Sequence, residues 1–147
     1  MIHLTETKAA IMGGAALIGG MIGQAFGGLD AALITLLIFM AVDYVSGLIV
    51  AGVFQASDKS ESGSLSSAAC WQGLARKGMT LIIVLVAAQL DKVLGTAFVR
   101  DAVVIAYIVN ETISIIENAG LMGLPIPDVI MSAIEQLQNK DNQPTGK

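Results

Sequence analysis

Residues 31–54 read AALITLLIFMAVDYVSGLIVAGVF, an apolar run whose single charged residue is Asp43. At 1.5 Å per residue, a helix of this length crosses a hydrocarbon core of about 30 Å. The rest of the chain is of the same kind. Its 147 residues are 54% hydrophobic and 14% charged, with mean hydropathy +0.73, whereas soluble domains carry about 25% charged residues. One domain, residues 1–147, built of helices in a membrane is the fold that such a chain allows.

Other segments share the pattern. Residues 9–28 are apolar and rich in glycine, with Gly19, Gly23 and Gly27 at i, i+4 and i+8. Faces of small residues let helix backbones approach closely in lipid; flexibility without a dedicated partner is the other reading. Gly23-Gln24-Ala25 loosely fits a signal-peptidase site. The apolar run before it is longer than a usual signal core and only Lys8 precedes it, so retention is expected. Residues 78–99 form a third span, weakened in its second half by Gln89, Asp91 and Lys92. Residues 101–120 form a further helix, spanning or lying on the surface. Pro125 and Pro127 break the chain within 121–127. Residues 128–138 make a short amphipathic helix, and 139–147 a polar tail. The expected fold is therefore an all-α integral membrane protein with three to four membrane helices.

Between the second and third spans the chain turns polar. Six serines, Asp58, Lys59 and Glu61 lie within 55–70, and Trp71, Arg76 and Lys77 follow as an aromatic and basic flank at a membrane interface. Positive charge near membrane ends marks the cytoplasmic side. That places the 55–77 linker in the cytoplasm of a bacterial inner membrane, although Lys92 and Arg100 count mildly against it.

The run DAVVIAYIVNETISIIENAG, residues 101–120, carries a polar stripe. At 100° per residue, Tyr107, Asn110, Glu111, Ser114, Glu117 and Asn118 share an arc of about 120°. The stripe must face another protein surface, a water-filled path or a membrane interface. Depth counting places other polar groups near the same level. Asp43 and Gln89 each sit about 16 Å from the inner end of their spans, Glu111 arrives near the midplane, and the flexible stem of Lys92 can reach inward. Charges at mid-bilayer cost about 2.5–3.5 kcal/mol on insertion scales, so these groups meet one another. They form either a neutralised packing pair or a wet path.

Several classes of function are excluded. Net charge is −4, pI about 4.7, and no Lys/Arg run is present, so nucleic acid has no electrostatic handle. Cys70 is the only cysteine and His3 the only histidine, which leaves no internal disulfide, no multi-cysteine metal site and no paired nucleophile and base. No cofactor, metal or enzymatic activity is expected.

Three stretches carry a family resemblance: AVDYVSGLIVAG (41–52), SLSSAACWQGLARKG (64–78) and YIVNETISIIENAGLMGLPIPDVI (107–130). The sequence resembles the phage lysis and toxin-secretion holins, a family that includes clostridial toxin-release proteins. The resemblance implies a small phage-encoded inner-membrane protein that oligomerises and opens large lesions, through which an endolysin or a toxin leaves. Asp43, Asn110, Glu111, Ser114, Glu117 and Asn118 fall within the matching motifs. Membrane lipid, further copies of the chain, an endolysin and an antiholin are the implied partners. A narrow ion or small-solute channel, a transporter subunit and a non-conducting partner such as an antiholin are the competing readings.

Overall fold

The computed structural model describes residues 2–59 and 62–141, with side chains over 5–59 and 62–136. Its elements are α1 (Ile2–Ala25), α2 (Ala31–Ile49) continued by a π-helical turn (Val50–Phe54), α3 (Ser67–Leu94), α4 (Val99–Leu121) and α5 (Asp128–Asp141). No strand occurs among the described residues.

Local chemistry fixes the helix ends. Asp30 caps α2 by accepting the Leu33 amide at 2.9 Å, satisfying one of the orphan donors of the first turn. Gly95, at φ 67°, ends α3 in the left-handed conformation that glycine adopts without strain. The neighbours of α4 supply no side-chain cap, so its first amides bond elsewhere. Asp91, in the last turn of α3, accepts from the amides of Val99 at 3.1 Å and Arg100 at 2.8 Å. At the far end, Leu124 donates to the Ala119 carbonyl before the two prolines redirect the chain into α5.

Helix α4 is central. It runs alongside α2 in the same direction, takes antiparallel α3 against another face, and receives α5 folding back upon it. Leu33, Leu36, Met40, Val84 and Val104 form the core, nearer the Asp30 end than the linker end. Helix α1 contacts α3 only near its C-terminus, and residues 5–22 are exposed along their whole length. Leu17 there is 73% exposed.

Two helices, Ala31–Phe54 and Ser67–Leu94, are long and apolar enough to cross a membrane. Glycine dilutes the hydropathy of α1, and its polar face dilutes that of α4. The third helix begins at Ser67 rather than near residue 78, because the Ala-, Leu- and Arg-containing stretch after the Ser66 cap favours helix. Cys70, Trp71, Arg76 and Lys77 are thus helical, not linker. Helix α5 runs past residue 138 to Asp141. Residues 142–147 of the expected polar tail lie outside the described residues, as does the side chain of His3.

Candidate functional site

Asp43 on α2, Lys77 on α3 and Glu111 on α4 meet at mid-depth. The Lys77 ammonium donates to Asp43 Oδ2 at 2.8 Å and to Glu111 Oε2 at 2.5 Å. All three side chains are largely buried. Asp43 Oδ1 accepts from Asn118 Nδ2 at 3.1 Å, and the same amide donates to Ser46 Oγ at 2.8 Å. Ser46 in turn donates to the Asp43 carbonyl at 3.0 Å. Gly47 lies against the same amide, where a β-carbon would make an ordinary contact 3.7 Å from Asn118 Nδ2. Burying charge is tolerable only when it is paired and hydrogen-bonded, and here both carboxylates share one ammonium.

A cavity of about 450 Å³ leads to this cluster from the 55–66 linker, between α2, α3 and α4. Asn110, Ser114 and Glu117 line it from α4, Arg76 and Lys77 from α3. Cys70 and Tyr44 face each other across it, with the Tyr44 hydroxyl 3.5 Å from the Cys70 carbonyl. Beyond the cluster the way is closed by the apolar core. The cavity is therefore a blind, wettable cleft with a charged end.

A second polar knot ties the opposite end. Arg100 is buried and donates to both carboxylate oxygens of Asp30, at 2.6 and 3.1 Å, and to the carbonyls of Phe26 and Gly28 at 2.6 and 3.0 Å. Asp101 accepts a further bond at 3.0 Å. The hydrogen bonds from Arg100 hold the Asp30 carboxyl below the usual carboxylate range.

The expected residues divide accordingly. Asp43, Glu111 and Asn118 converge, and Asn110, Ser114 and Glu117 line the adjoining cleft. Gln89 and Lys92 do not join the layer. They donate to the Ala25 carbonyl at 2.6 Å and the Gln24 carbonyl at 2.9 Å, capping the C-terminal end of α1. The earlier start of α3 explains the displacement: it shifts position along that helix by about 16 Å, bringing Lys77 level with Asp43 and Glu111 and carrying Gln89 toward the far end. Gly19, Gly23 and Gly27 do not form one packing face within the chain. A β-carbon at Gly19 would meet nothing within 4 Å, one at Gly23 would sit 3.1 Å from Leu29 Cγ, and Gly27 occupies a turn at φ 80° against Arg100.

Lys77 is the residue that sequence reasoning placed at the interface and that the fold places in the cluster. Its signal was present: Lys77, Val84 and Asp91 recur at two-turn spacing, which puts them on one helix face, and Val84 and Asp91 are buried.

Residues 20–139 match the sequence profile of the bacteriophage holin family. An uncharacterized protein of Clostridium perfringens strain 13 is 36% identical over 131 residues, covering 88% of this chain and 91% of that protein. An uncharacterized protein of Listeria monocytogenes is 39% identical over 117 residues, with 79% and 78% covered. A "probable holin" of Bacillus phage phi105 is 30% identical over 113 residues, with 76% and 78% covered. No solved structure matches the chain.

Proposed function

The chain belongs to the bacteriophage holin family, and on that premise we propose that it accumulates in the bacterial inner membrane, oligomerises and opens lesions that let an endolysin or a toxin out. The observation that carries this reading is the blind cleft ending on a buried charge cluster. In the single chain, Lys77 screens Asp43 and Glu111 from lipid, and Asn118 is spent on Asp43 and Ser46. Such a protomer can enter and fill a membrane without exposing charge to hydrocarbon. An assembly that parts the cleft walls presents the same groups to water and lines a wet edge.

Family membership and two apolar helices are consistent with a membrane location. In this reading α1 and α4 join α2 and α3 in the bilayer, giving four crossings with the 55–66 connection in the cytoplasm; of the expected 55–77 linker, Lys77 belongs instead to α3 at the level of Asp43 and Glu111. The protein works by assembly, not by catalysis. The apolar core beneath the cluster leaves no polar path through one protomer, so a narrow channel, like a lesion, would have to be built between copies.

The test is expression in bacteria with and without a cytoplasmic endolysin, following optical density and membrane potential. Abrupt lysis only when endolysin is present, with loss of potential in both cultures, is expected. Loss of potential with endolysin retained inside would mark a small-solute channel. Loss of neither would mark an antiholin-like partner.

A further inference from the structure

Two opposite charges face one cleft and leave each other unpaired. Lys77 is engaged by Asp43 and Glu111, but neither the Arg76 guanidinium on α3 nor the Glu117 carboxylate on α4 takes part in an ion pair among the described residues. Both side chains line the cavity. Lys77 touches Glu111, and Glu117 lies about 9 Å nearer the linker than Glu111. Arg76 adjoins Lys77, so it is the deeper of the two by about 7.5 Å. The contacts Lys77–Glu111 and Asp91–Arg100 make α3 and α4 antiparallel. Side chains lean toward the N-terminus of their helix, so the two charged heads lean toward each other's level.

The cleft holds about 450 Å³, within the range of about 300–1,000 Å³ usual for small-molecule sites. Its lining sets three cations, Lys59, Arg76 and Lys77, against three carboxylates, Asp43, Glu111 and Glu117. A ligand of net charge meets no opposite net charge there. A zwitterion, by contrast, satisfies both unpaired groups at once. We propose that the cleft takes a phosphoethanolamine group, its phosphate on Arg76 and its primary ammonium on Glu117. Arginine offers phosphate paired N–H donors, and a carboxylate accepts charge-assisted bonds from an ammonium. The order of the charges also fits. In the leaflet at the linker end, a phosphatidylethanolamine headgroup carries its phosphate deeper than its ammonium, and Arg76 is deeper than Glu117. The site rests on the membrane location proposed above and goes beyond lesion formation.

Cys70 lines the cleft and is the only cysteine, so its alkylation by N-ethylmaleimide reports occupancy. The purified full-length protein in non-ionic detergent is mixed with phosphatidylethanolamine, phosphatidylcholine, phosphatidylglycerol or free O-phosphoethanolamine. Phosphatidylethanolamine should slow alkylation several-fold. Phosphatidylcholine lacks the ammonium N–H donors and phosphatidylglycerol lacks the cation, so neither should match it. Protection by the lipid alone assigns the site to a membrane headgroup, and protection by free O-phosphoethanolamine alone to a soluble ligand. Protection by both assigns it to the shared group. Arg76→Gln and Glu117→Gln should each abolish the protection. Equal protection by either other lipid, protection that survives both substitutions, or none from either form of phosphoethanolamine overturns the proposal. If Cys70 reacts too slowly to follow, Tm reads the same comparison: a rise with phosphoethanolamine that both variants lose is expected, and equal shifts with every lipid overturn it. The readout is binding, not lysis. A chain that shows this protection but never lyses cells keeps the site and loses the holin reading.

Discussion

Lys77 donates to Asp43 Oδ2 at 2.8 Å across 34 residues of sequence, and on the α2 side of the cleft this is the bond that fastens α3. The only other side-chain link described between these two walls is the longer contact from the Tyr44 hydroxyl to the Cys70 carbonyl. The apolar core that joins the helices lies toward the Asp30 end. Stability of the linker half of α3 and access to the cleft are thus tied to one ammonium group.

Replacing Lys77 by Met strands two buried carboxylates. Breaking a buried ion pair from one side costs about 3–5 kcal/mol. Glu111→Gln leaves Lys77 paired with Asp43 and should cost much less. Thermal unfolding of the purified protein in detergent, followed by circular dichroism, compares the two. Equal melting temperatures would mean that the cleft hydrates the cluster well enough to make the pairing dispensable.

Glu111→Leu reduces the cluster to one carboxylate and one ammonium and should yield a folded, membrane-resident protein. If Glu111 lines the wet edge of an open lesion, this variant assembles but does not lyse cells. Ile108→Leu, a volume-conserving change beside the core, should cost less than about 1.5 kcal/mol and keep lysis timing. Endolysin-dependent lysis measured at matched membrane levels decides the matter. Lysis by Glu111→Leu on the normal schedule would remove this helix face from the lesion.

The glycines of α1 should now behave differently from one another. Gly23→Leu must displace Leu29 from the turn before α2, an overpacking that costs about 1–3 kcal/mol and lowers Tm. Gly19→Leu meets nothing within the chain, so Tm should hold. If the open face of α1 packs against another copy, Gly19→Leu shortens the cross-linked ladder at unchanged Tm. An unaltered ladder would reduce that face to lipid contact.

The Asp30–Arg100 clamp carries a pH signature. Asp30 has its folded pKa lowered from the model-peptide 3.8 by Arg100. Its contribution is therefore fully present above about 3.8 and is lost as pH falls through the lower folded value. Because Asp30 is about half exposed, solvent screening keeps the effect small. The Tm difference between wild type and Asp30→Asn should stay constant from pH 8 to 5 and shrink below about 4. A difference that already fades near neutrality would assign the clamp's pH response to another group.

Sequence alone determined what depends on local periodicity and transfer free energy. The apolar run 31–54, the proline break at 125–127 and the polar stripe of 101–120 were legible because each is written in consecutive residues. They fix the helical class and single out Asp43, Glu111 and Asn118, which cannot be left bare in hydrocarbon. Tertiary structure decided which groups meet. Depth counted along a helix depends on where that helix starts, and the Ser66 cap, not the onset of the apolar run, starts α3. That offset of about 16 Å exchanged Gln89 for Lys77 beside Asp43 and Glu111. Azimuth and neighbour identity are likewise absent from any one segment. The Gln89 and Lys92 caps on α1, the Asp91 bonds to the first amides of α4 and the burial of Arg100 against the α1–α2 turn arise only when distant helix ends with unsatisfied backbone groups are packed side by side.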